Sequence, residues 1–264
     1  VGGIAGSNAG QITANQQLLV NRGSIVGQKY VGGAVGYNTG LIYNTNNNVR
    51  LQVKDKNRDA MYFGGVAGHN DKAGTIGNAT NRADVAAENA QFVGGVAGKN
   101  DGILKDFSGN YGNVTGSTNV GGVVGQNNVD ISNIDAVNEG SVTALKAGAG
   151  SIFDEHSRKI IDSSLNNRGT VIGTGNDGTG GIANTNSGEI KNSILSNEGM
   201  VYNAAGIYVG GIFGNKTGAA VIDSKLFNNG LVVGKEYVVG IFGKNTSDIT
   251  ETTLANNMNG HVIG

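Results

Sequence analysis

Short apolar runs alternate with glycine and asparagine along the chain, and one such run recurs at a nearly fixed spacing. In its regular form it reads apolar, Gly, Gly, apolar, apolar, Gly, any residue, Asn, as in Val93 to Asn100. This phrase begins nine times, at spacings of 27 to 32 residues. Its first residues are Val1, Val31, Phe63, Val93, Val120, Ala149, Thr179, Val209 and Val238. A period of this size indicates a repeat architecture rather than a single globular core.

Two further columns of apolar residues appear when the nine phrases are aligned. Position four of the phrase is always apolar: Ile4, Ala34, Val66, Val96, Val123, Ile152, Ile182, Ile212 and Ile241. The second column lies about seven residues further on: Ile12, Ile42, Ile76, Ile103, Ile131, Ile160, Ile190, Ile222 and Ile249. A third apolar segment follows an Asn/Gly turn in several repeats, as in Asn21-Arg22-Gly23-Ser24-Ile25 and Asn138-Glu139-Gly140-Ser141-Val142.

Each repeat therefore contains about three short apolar segments separated by turn-forming residues, a pattern typical of strands. Helices are disfavoured because each glycine costs up to about 1 kcal/mol relative to alanine in a helix interior. Stacking of equivalent strands predicts an all-β fold, a parallel β-solenoid (β-helix) of about nine coils with a period near 30 residues, which forms a single repeat array over residues 1–264. At roughly 4.8 Å per coil the rod is on the order of 40 Å long.

Position eight of the phrase is usually asparagine, with His156 and Lys216 as exceptions. A side-chain amide can donate to one stacked neighbour and accept from the next, so these residues are expected to form a structural ladder at a corner of the solenoid. The predicted ladder consists of Asn8, Asn38, Asn70, Asn100, Asn127, Asn186 and Asn245.

Position five is apolar as well, although a regular strand would turn it away from position four. It carries Phe153, Phe213 and Phe242 in three repeats. One interpretation is a contact surface for another chain or an overlying loop. The other is a glycine-rich bend that directs both columns inward. Aromatic residues also align just before the phrase, as Tyr30, Tyr62, Phe92, Tyr208 and Tyr237.

Composition excludes several classes of function. The net charge of -1 lacks the basic footprint of a nucleic-acid-binding protein, so no nucleic-acid partner is expected. The absence of Cys excludes disulfides and thiolate chemistry. No apolar run is long enough to cross a bilayer, so this segment is not expected to insert into a membrane. Because the chain starts inside a repeat and has no polar cap at either end, we expect it to be part of a longer protein.

Candidate chemistry is sparse. The three histidines fall in the third, sixth and ninth repeats, which argues against a histidine-based metal site or catalytic triad. Asp130, Asp154 and Asp248 stand singly in different columns or repeats. The densest polar run, Phe153 to Lys159, is interpreted as a solvated bulge rather than an ion or ligand site. No catalytic residues, cofactor or metal ligands are predicted.

Phrases such as Val93-Gly94-Gly95-Val96-Ala97-Gly98-Lys99-Asn100 and Val209-Gly210-Gly211-Ile212-Phe213-Gly214 resemble the GLUG motif. The resemblance covers essentially the whole chain and is weakest at Ala149-Gly150-Ser151-Ile152-Phe153-Asp154 and at Val238-Val239-Gly240. GLUG repeats occur in bacterial surface and secreted proteins, including adhesin-like proteins and non-catalytic parts of some metallopeptidases. The resemblance implies an extracellular array and brings no catalytic residues.

The expected function is therefore a structural and adhesive segment on the bacterial cell surface, without enzymatic activity. Its partners would be a host or neighbouring-cell surface protein or glycan, or copies of itself. A self-associating filament or matrix subunit is one alternative. A polysaccharide-active β-helix enzyme is another, and carboxylates converging on one groove would favour it.

Overall fold

The phrase forms a bend followed by a short strand, and these strands stack into the first sheet of the solenoid. The computed structural model describes residues 1–14, 19–20 and 23–264; Asn21 and Arg22 of the predicted turn lie outside them. The strands of this phrase sheet, in stacking order, are Ala5–Asn8, Val35–Asn38, Ala67–Asn70, Ala97–Asn100, Val124–Asn127, Phe153–His156, Ala183–Asn186, Phe213–Lys216 and Phe242–Asn245. We number these nine levels 1 to 9.

The second sheet follows the phrase sheet around the solenoid. Its strands are Gln11–Thr13, Leu19–Val20, Leu41–Asn47, Thr75–Asn81, Ile103–Asn110, Ile134–Asn138, Ser164–Asn167, Ile194–Asn197, Lys225–Asn228 and Thr253–Asn256. In the later levels a short sheet precedes it, made of Ile131–Ser132, Ile160–Ile161, Ile190–Lys191, Val221–Ile222 and Ile249–Thr250.

The third sheet completes each turn and leads into the next phrase. Its strands are Ser24–Gly27, Lys29–Gly32, Arg50–Val53, Ala60–Gly64, Val85–Gly94, Val114–Gly121, Val142–Ala144, Ala149–Gly150, Val171–Gly173, Thr179–Gly180, Val201–Asn203, Val209–Gly210, Val232–Gly234, Val238–Val239 and Val262–Ile263.

The predicted fold class is confirmed. The described residues form no helix, and stacked parallel sheets make a β-solenoid of about eight turns with a period near 30 residues. The nine phrases were expected to give nine coils. The nine stacked phrase strands are joined by eight turns, so the solenoid has one turn fewer than it has phrases. In the described part of the chain, no helix has the length and apolarity to cross a bilayer.

Later levels contain more strand segments than the three predicted. Level 6, for example, has separate segments at Phe153–His156, Ile160–Ile161, Ser164–Asn167 and Val171–Gly173 before the chain enters Thr179–Gly180. The additional break occurs at a residue with positive φ, a conformation that Asn and Asp tolerate better than most residues. This corner column is Asn44, Asn78, Asp106, Asn133, Asp162, Asn192, Asp223 and Glu251.

Position four of the phrase lies in the core from level 2 to level 9, and its register is as predicted. Ile182 donates its backbone N–H to Ile212 and accepts from Ile152, at N···O distances of 2.8 and 2.9 Å. All three side chains are fully buried in one apolar cluster.

The second apolar column requires two corrections. Ile103 is 57% exposed, and its neighbour Leu104 is the residue that pairs with Ile76 and is buried. Likewise Val221, rather than Ile222, stacks on Ile190. Leu104 keeps the spacing from the phrase start that Ile42 and Ile131 show, so Ile103 was misassigned by its residue type. Val221 is displaced by one residue because the loop before it is longer.

Position five also faces the core, which corrects the predicted contact surface. Phe153 and Phe213 are 1% and 0% exposed and belong to the same apolar cluster as Ile182. Phe242 is half-buried and stacks on Phe213 with ring centroids 6.0 Å apart. The chain bends at positions three and four, so strand alternation starts only at position five and both columns point inward.

We predict that replacing Ile182 with Asp disrupts the solenoid around level 7. An unpaired carboxylate in the core costs several kcal/mol, and each level packs only on its neighbours. Thermal unfolding followed by circular dichroism should show a large fall in Tm. The matched control is Ile194→Asp, because Ile194 is 48% exposed on a strand of the same level. Equal Tm values for the two variants would contradict the assigned register.

Candidate functional site

The first asparagine ladder runs through levels 1 to 5 at the end of the phrase sheet. Each side-chain Nδ2 donates to the Oδ1 of the next asparagine at 2.7 to 2.8 Å. Each amide also donates to a backbone carbonyl in the following loop, as Asn100 does to Gly102 at 3.0 Å. The residues joined in this way are Asn8, Asn38, Asn70, Asn100 and Asn127.

His156 continues this ladder in level 6. Its Nδ1 lies 2.9 Å from Nδ2 of Asn127, and its Nε2 lies 3.3 Å from the carbonyl oxygen of Lys159. Because the amide donates to Nδ1, the imidazole is neutral and carries its proton on Nε2. Burial lowers the pKa of His156 to about 4. The histidine therefore occupies a structural position and is not available as a charged group near neutral pH.

The ladder stops after His156, so two of the seven predicted members do not join it. Both amide atoms of Asn186 are buried without a hydrogen-bond partner. At level 8 the buried Lys216 directs its Nζ to the carbonyls of Gly188, Thr217 and Ala219 at 3.1, 3.0 and 2.6 Å. An ammonium group has no acceptor to offer the neighbouring amide. Asn245 bonds locally to Ser247.

A second asparagine ladder, which the sequence analysis did not predict, runs along the end of the second sheet. Nδ2-to-Oδ1 distances between successive levels are 2.7 to 3.0 Å. Its members are Asn47, Asn81, Asn110, Asn138, Asn167, Asn197, Asn228 and Asn256. Several of them were interpreted only as turn residues before the third apolar segment.

The second ladder explains the glycine at position three of the phrase. A Cβ on Gly65 would collide with the side chain of Asn81 and with the carbonyl oxygen of Gly95. This close approach places the amides between two apolar columns. One lies along the phrase and second sheets and the other along the third sheet.

The aromatic column before the phrase is interrupted in the middle of the solenoid. Tyr30 stacks on Tyr62 and Tyr62 on Phe92, with ring centroids 5.0 and 5.2 Å apart. The equivalent residues in the next levels are Asn119, Gly148 and Gly178, and the column resumes with Tyr208 and Tyr237. Near the missing rings lies a cavity of about 480 Å³, which we call the polar cavity. The residues that line it include Asn119, Asp154, Glu155, Asp177, Asn184 and Tyr208.

The backbone changes together with the side chains at this point. Tyr62, Phe92 and Asn119 have φ values of 62°, 58° and 53°, whereas Gly148 and Gly178 are not left-handed. In level 5, a Cβ on the phrase glycine Gly125 would collide with the carbonyl of Asn119. In levels 6 and 7 the equivalent positions carry side chains, Asp154 and Asn184, as the register of Phe153 with Ala183 shows.

Asp154 is the most perturbed acid in the polar cavity. Its side chain is 2% exposed, its Oδ2 lies 3.4 Å from Nδ2 of Asn119, and its Oδ1 has no hydrogen-bond partner. Burial, followed by the negative charges of Glu155 and Asp177, raises the pKa of Asp154 well above its usual range, although the nearby amide of Asn184 opposes the shift. Of the polar run from Phe153 to Lys159, Phe153–His156 therefore form a strand that is mostly buried, which corrects the solvated-bulge interpretation for these residues. Ser157, Arg158 and Lys159 are exposed.

A second polar cluster surrounds His69 in levels 3 and 4. Nε2 of His69 lies 2.8 Å from Oδ2 of Asp101, and Nζ of Lys99 lies 3.2 Å from the same oxygen. Burial alone would raise the pKa of Asp101, but hydrogen bonds from Asn128, His69 and Lys99 together lower it. The sequence had suggested only that His69 lies far from the other histidines.

Possible ligand atoms of His69, Asp71 and Asp101 lie within 4.8 Å of one another. A metal ion would have to displace the bond between His69 and Asp101 and would face the ammonium of Lys99. The arrangement is better described as a balanced ion-pair network. Of the carboxylates considered from sequence, Asp154 lines the polar cavity, whereas Asp130 and Asp248 are exposed.

Comparisons of the chain with models of known families, with curated proteins and with solved structures found no match. Functional interpretation therefore depends on the two ladders, the polar cavity and the resemblance carried by the repeated phrase.

We predict that Asn138→Ala destabilises the solenoid by about 1–3 kcal/mol, because Asn110 loses an acceptor and Asn167 loses a donor in a buried position. For a chain of this size, each kcal/mol lowers Tm by about 2–4 °C. Thermal unfolding measures the change. Asn57→Ala is the control because Asn57 is exposed in a loop. Equal effects of the two substitutions would show that the ladder contributes nothing specific.

We also predict that Asp154→Asn stabilises the protein at pH 7 and not at pH 3.5. Below the pKa of an unfolded Asp, about 3.9, the carboxyl is neutral in both folded and unfolded chains. As the pH rises, the Asp154 carboxyl of the unfolded chain ionises while that of the folded chain stays protonated. The unsubstituted chain therefore loses stability until the pH passes the raised pKa of the folded state.

The variant should therefore be more stable by about 1–3 kcal/mol at pH 7, the usual cost of an unsatisfied buried polar group. Thermal unfolding at both pH values provides the measurement. The control is Asp248→Asn, which removes an exposed carboxylate. A stability difference that is the same at pH 3.5 and pH 7 would contradict the assigned protonation of Asp154.

Proposed function

We propose that this chain is a structural and adhesive segment of a bacterial cell-surface or secreted protein, in which a rigid β-solenoid rod presents binding surfaces. The resemblance to GLUG repeats supports a location outside the cell. The observation that carries the rod function is the second asparagine ladder, which joins levels 2 to 9 through buried side chains. Displacing one level relative to the next would break these bonds and expose the amides to an apolar interior.

The outer faces of such a rod are free to vary while the interior is constrained. Along the second sheet, buried positions such as Leu165 and Leu195 alternate with exposed Ser164 and Ile194. Side chains that point outward at one level recur about 4.8 Å away at the next. A regular surface of this kind supports repeated weak contacts with a protein or glycan on another cell, and the same geometry suits contacts between copies of the chain in a filament.

The rod can be tested on beads that carry the complete chain. We expect these beads to adhere to epithelial cells or to glycans on an array, because the folded surface presents the binding groups. Beads carrying Ile182→Asp provide the matched control with a disrupted fold. Adhesion no greater than that of the control would contradict the adhesive function.

The location requires a separate measurement. Protease treatment of intact cells of the source bacterium should remove the chain if it is exposed at the surface. A chain that is cleaved only after the cells are lysed would contradict the proposed location.

A polysaccharide-active enzyme is the second candidate, and the polar cavity is the observation that favours it. Asp154, Glu155 and Asp177 line the same cavity, and a carboxyl of raised pKa beside other carboxyl groups is the arrangement of a general acid and its partner. Release of reducing ends from a panel of polysaccharides, abolished by Glu155→Gln, would support catalysis. Absence of turnover with every polysaccharide in the panel would leave the non-catalytic rod as the better description.

A further inference from the structure

The polar cavity offers hydrogen-bond acceptors that have no donors. Three side-chain oxygens that line it are buried without a partner among the described residues: Oδ1 of Asp154, Oδ1 of Asn184 and Oδ1 of Asn215. Leaving such atoms unsatisfied destabilises the folded chain. A ligand that brings N–H donors would recover this free energy.

The charge of the polar cavity has one sign. Asp154, Glu155 and Asp177 line it, and its described lining residues include no Lys, Arg or His. The carboxylate of Glu155 accepts a hydrogen bond from Gln126 at 2.7 Å, which orients the group without neutralising it. Outside the lining, Nζ of Lys244 lies 5.3 Å from the centroid of the Tyr208 ring. Tyr208 also supplies an aromatic wall, which favours cationic groups.

We propose that the polar cavity binds a small organic cation through its primary ammonium group, with Asp154 ionising beside the bound ammonium and releasing its proton to solvent. The oxygens of Asn184 and Asn215 accept further N–H bonds, and Glu155 and Asp177 attract the cation into the cavity. A volume of about 480 Å³ lies within the range of small-molecule sites.

A bare metal ion fits the same cavity less well. Among the described residues, the only group of three His or carboxylate side chains with ligand atoms within 4.8 Å of one another is the His69 cluster. The acids of the polar cavity therefore do not converge on one point. Calcium requires six to eight oxygens at 2.3–2.6 Å from a common centre. An organic ammonium ion requires only a few acceptors around its nitrogen and uses the remaining volume for its carbon skeleton.

Calorimetric titration of the complete chain with cadaverine tests the proposal. We expect cadaverine to bind at one site and the neutral analogue 1,5-pentanediol to bind at least tenfold more weakly, since it lacks the charge. Asp154→Asn should weaken cadaverine binding at least tenfold. The variant is expected to fold, because asparagine already occupies the equivalent position in the adjacent level at Asn184. Asp248→Asn should bind cadaverine like the unsubstituted chain.

Several outcomes would overturn the proposal. They are the absence of cadaverine binding, equal binding of cadaverine and 1,5-pentanediol, or unchanged cadaverine binding by Asp154→Asn. Calcium chloride is titrated separately. Calcium binding at micromolar concentration that excludes cadaverine would also overturn the proposal, because the cavity would then be a metal site. The inference does not depend on the cellular location of the chain, so its failure would leave the bead-adhesion and protease results unaffected.

Discussion

A buried side-chain amide must both donate and accept, and this requirement governs the solenoid. An asparagine between two apolar columns can be satisfied only by another polar group at the same place in the next level. Seven amide-to-amide bonds of 2.7 to 3.0 Å meet this requirement along the second ladder. The bonds hold successive levels in one register. A Cβ on the position-three glycines would collide with the ladder amides, and only level 6 has another residue, Ser151, at this position.

Much of the fold could be predicted because its main constraint is periodic. Position four of the phrase identified a buried column that includes Ile152, Ile182 and Ile212, and the spacing predicted parallel stacking. The period locates a repeat but does not define its internal geometry. Position five points inward because the chain bends just before it. Leu104 keeps the regular spacing from the phrase start, and Ile103 was chosen only because isoleucine recurs in the other levels.

The polar cavity was harder to predict, although all of its residues were visible in the sequence. Asp154 was recognised as part of an irregular repeat, but its burial depends on the backbone around Gly148 and on the missing aromatic ring. The changes at Gly148 and Asp154 are about six residues apart in sequence. They meet in space because the end of one turn adjoins the start of the next phrase. The second ladder was missed for a simpler reason, since Asn138, Asn167 and Asn197 also suit an ordinary turn.

The interruption of the first ladder makes the two ends of the rod chemically different. Levels 1 to 6 have the chain of polar bonds that ends at His156, and the second ladder runs beside it from level 2 onward. Beyond Asn186 the second ladder continues beside a buried ammonium that bonds only to loop carbonyls. Serine hydroxyls also join these later levels, since Ser163, Ser193 and Ser224 each accept a backbone N–H from the preceding level. The polar link between levels therefore changes along the rod, from a second row of side-chain amides to a row of serine hydroxyls. The two ends of the rod are chemically distinct, and the boundary between them lies beside the polar cavity.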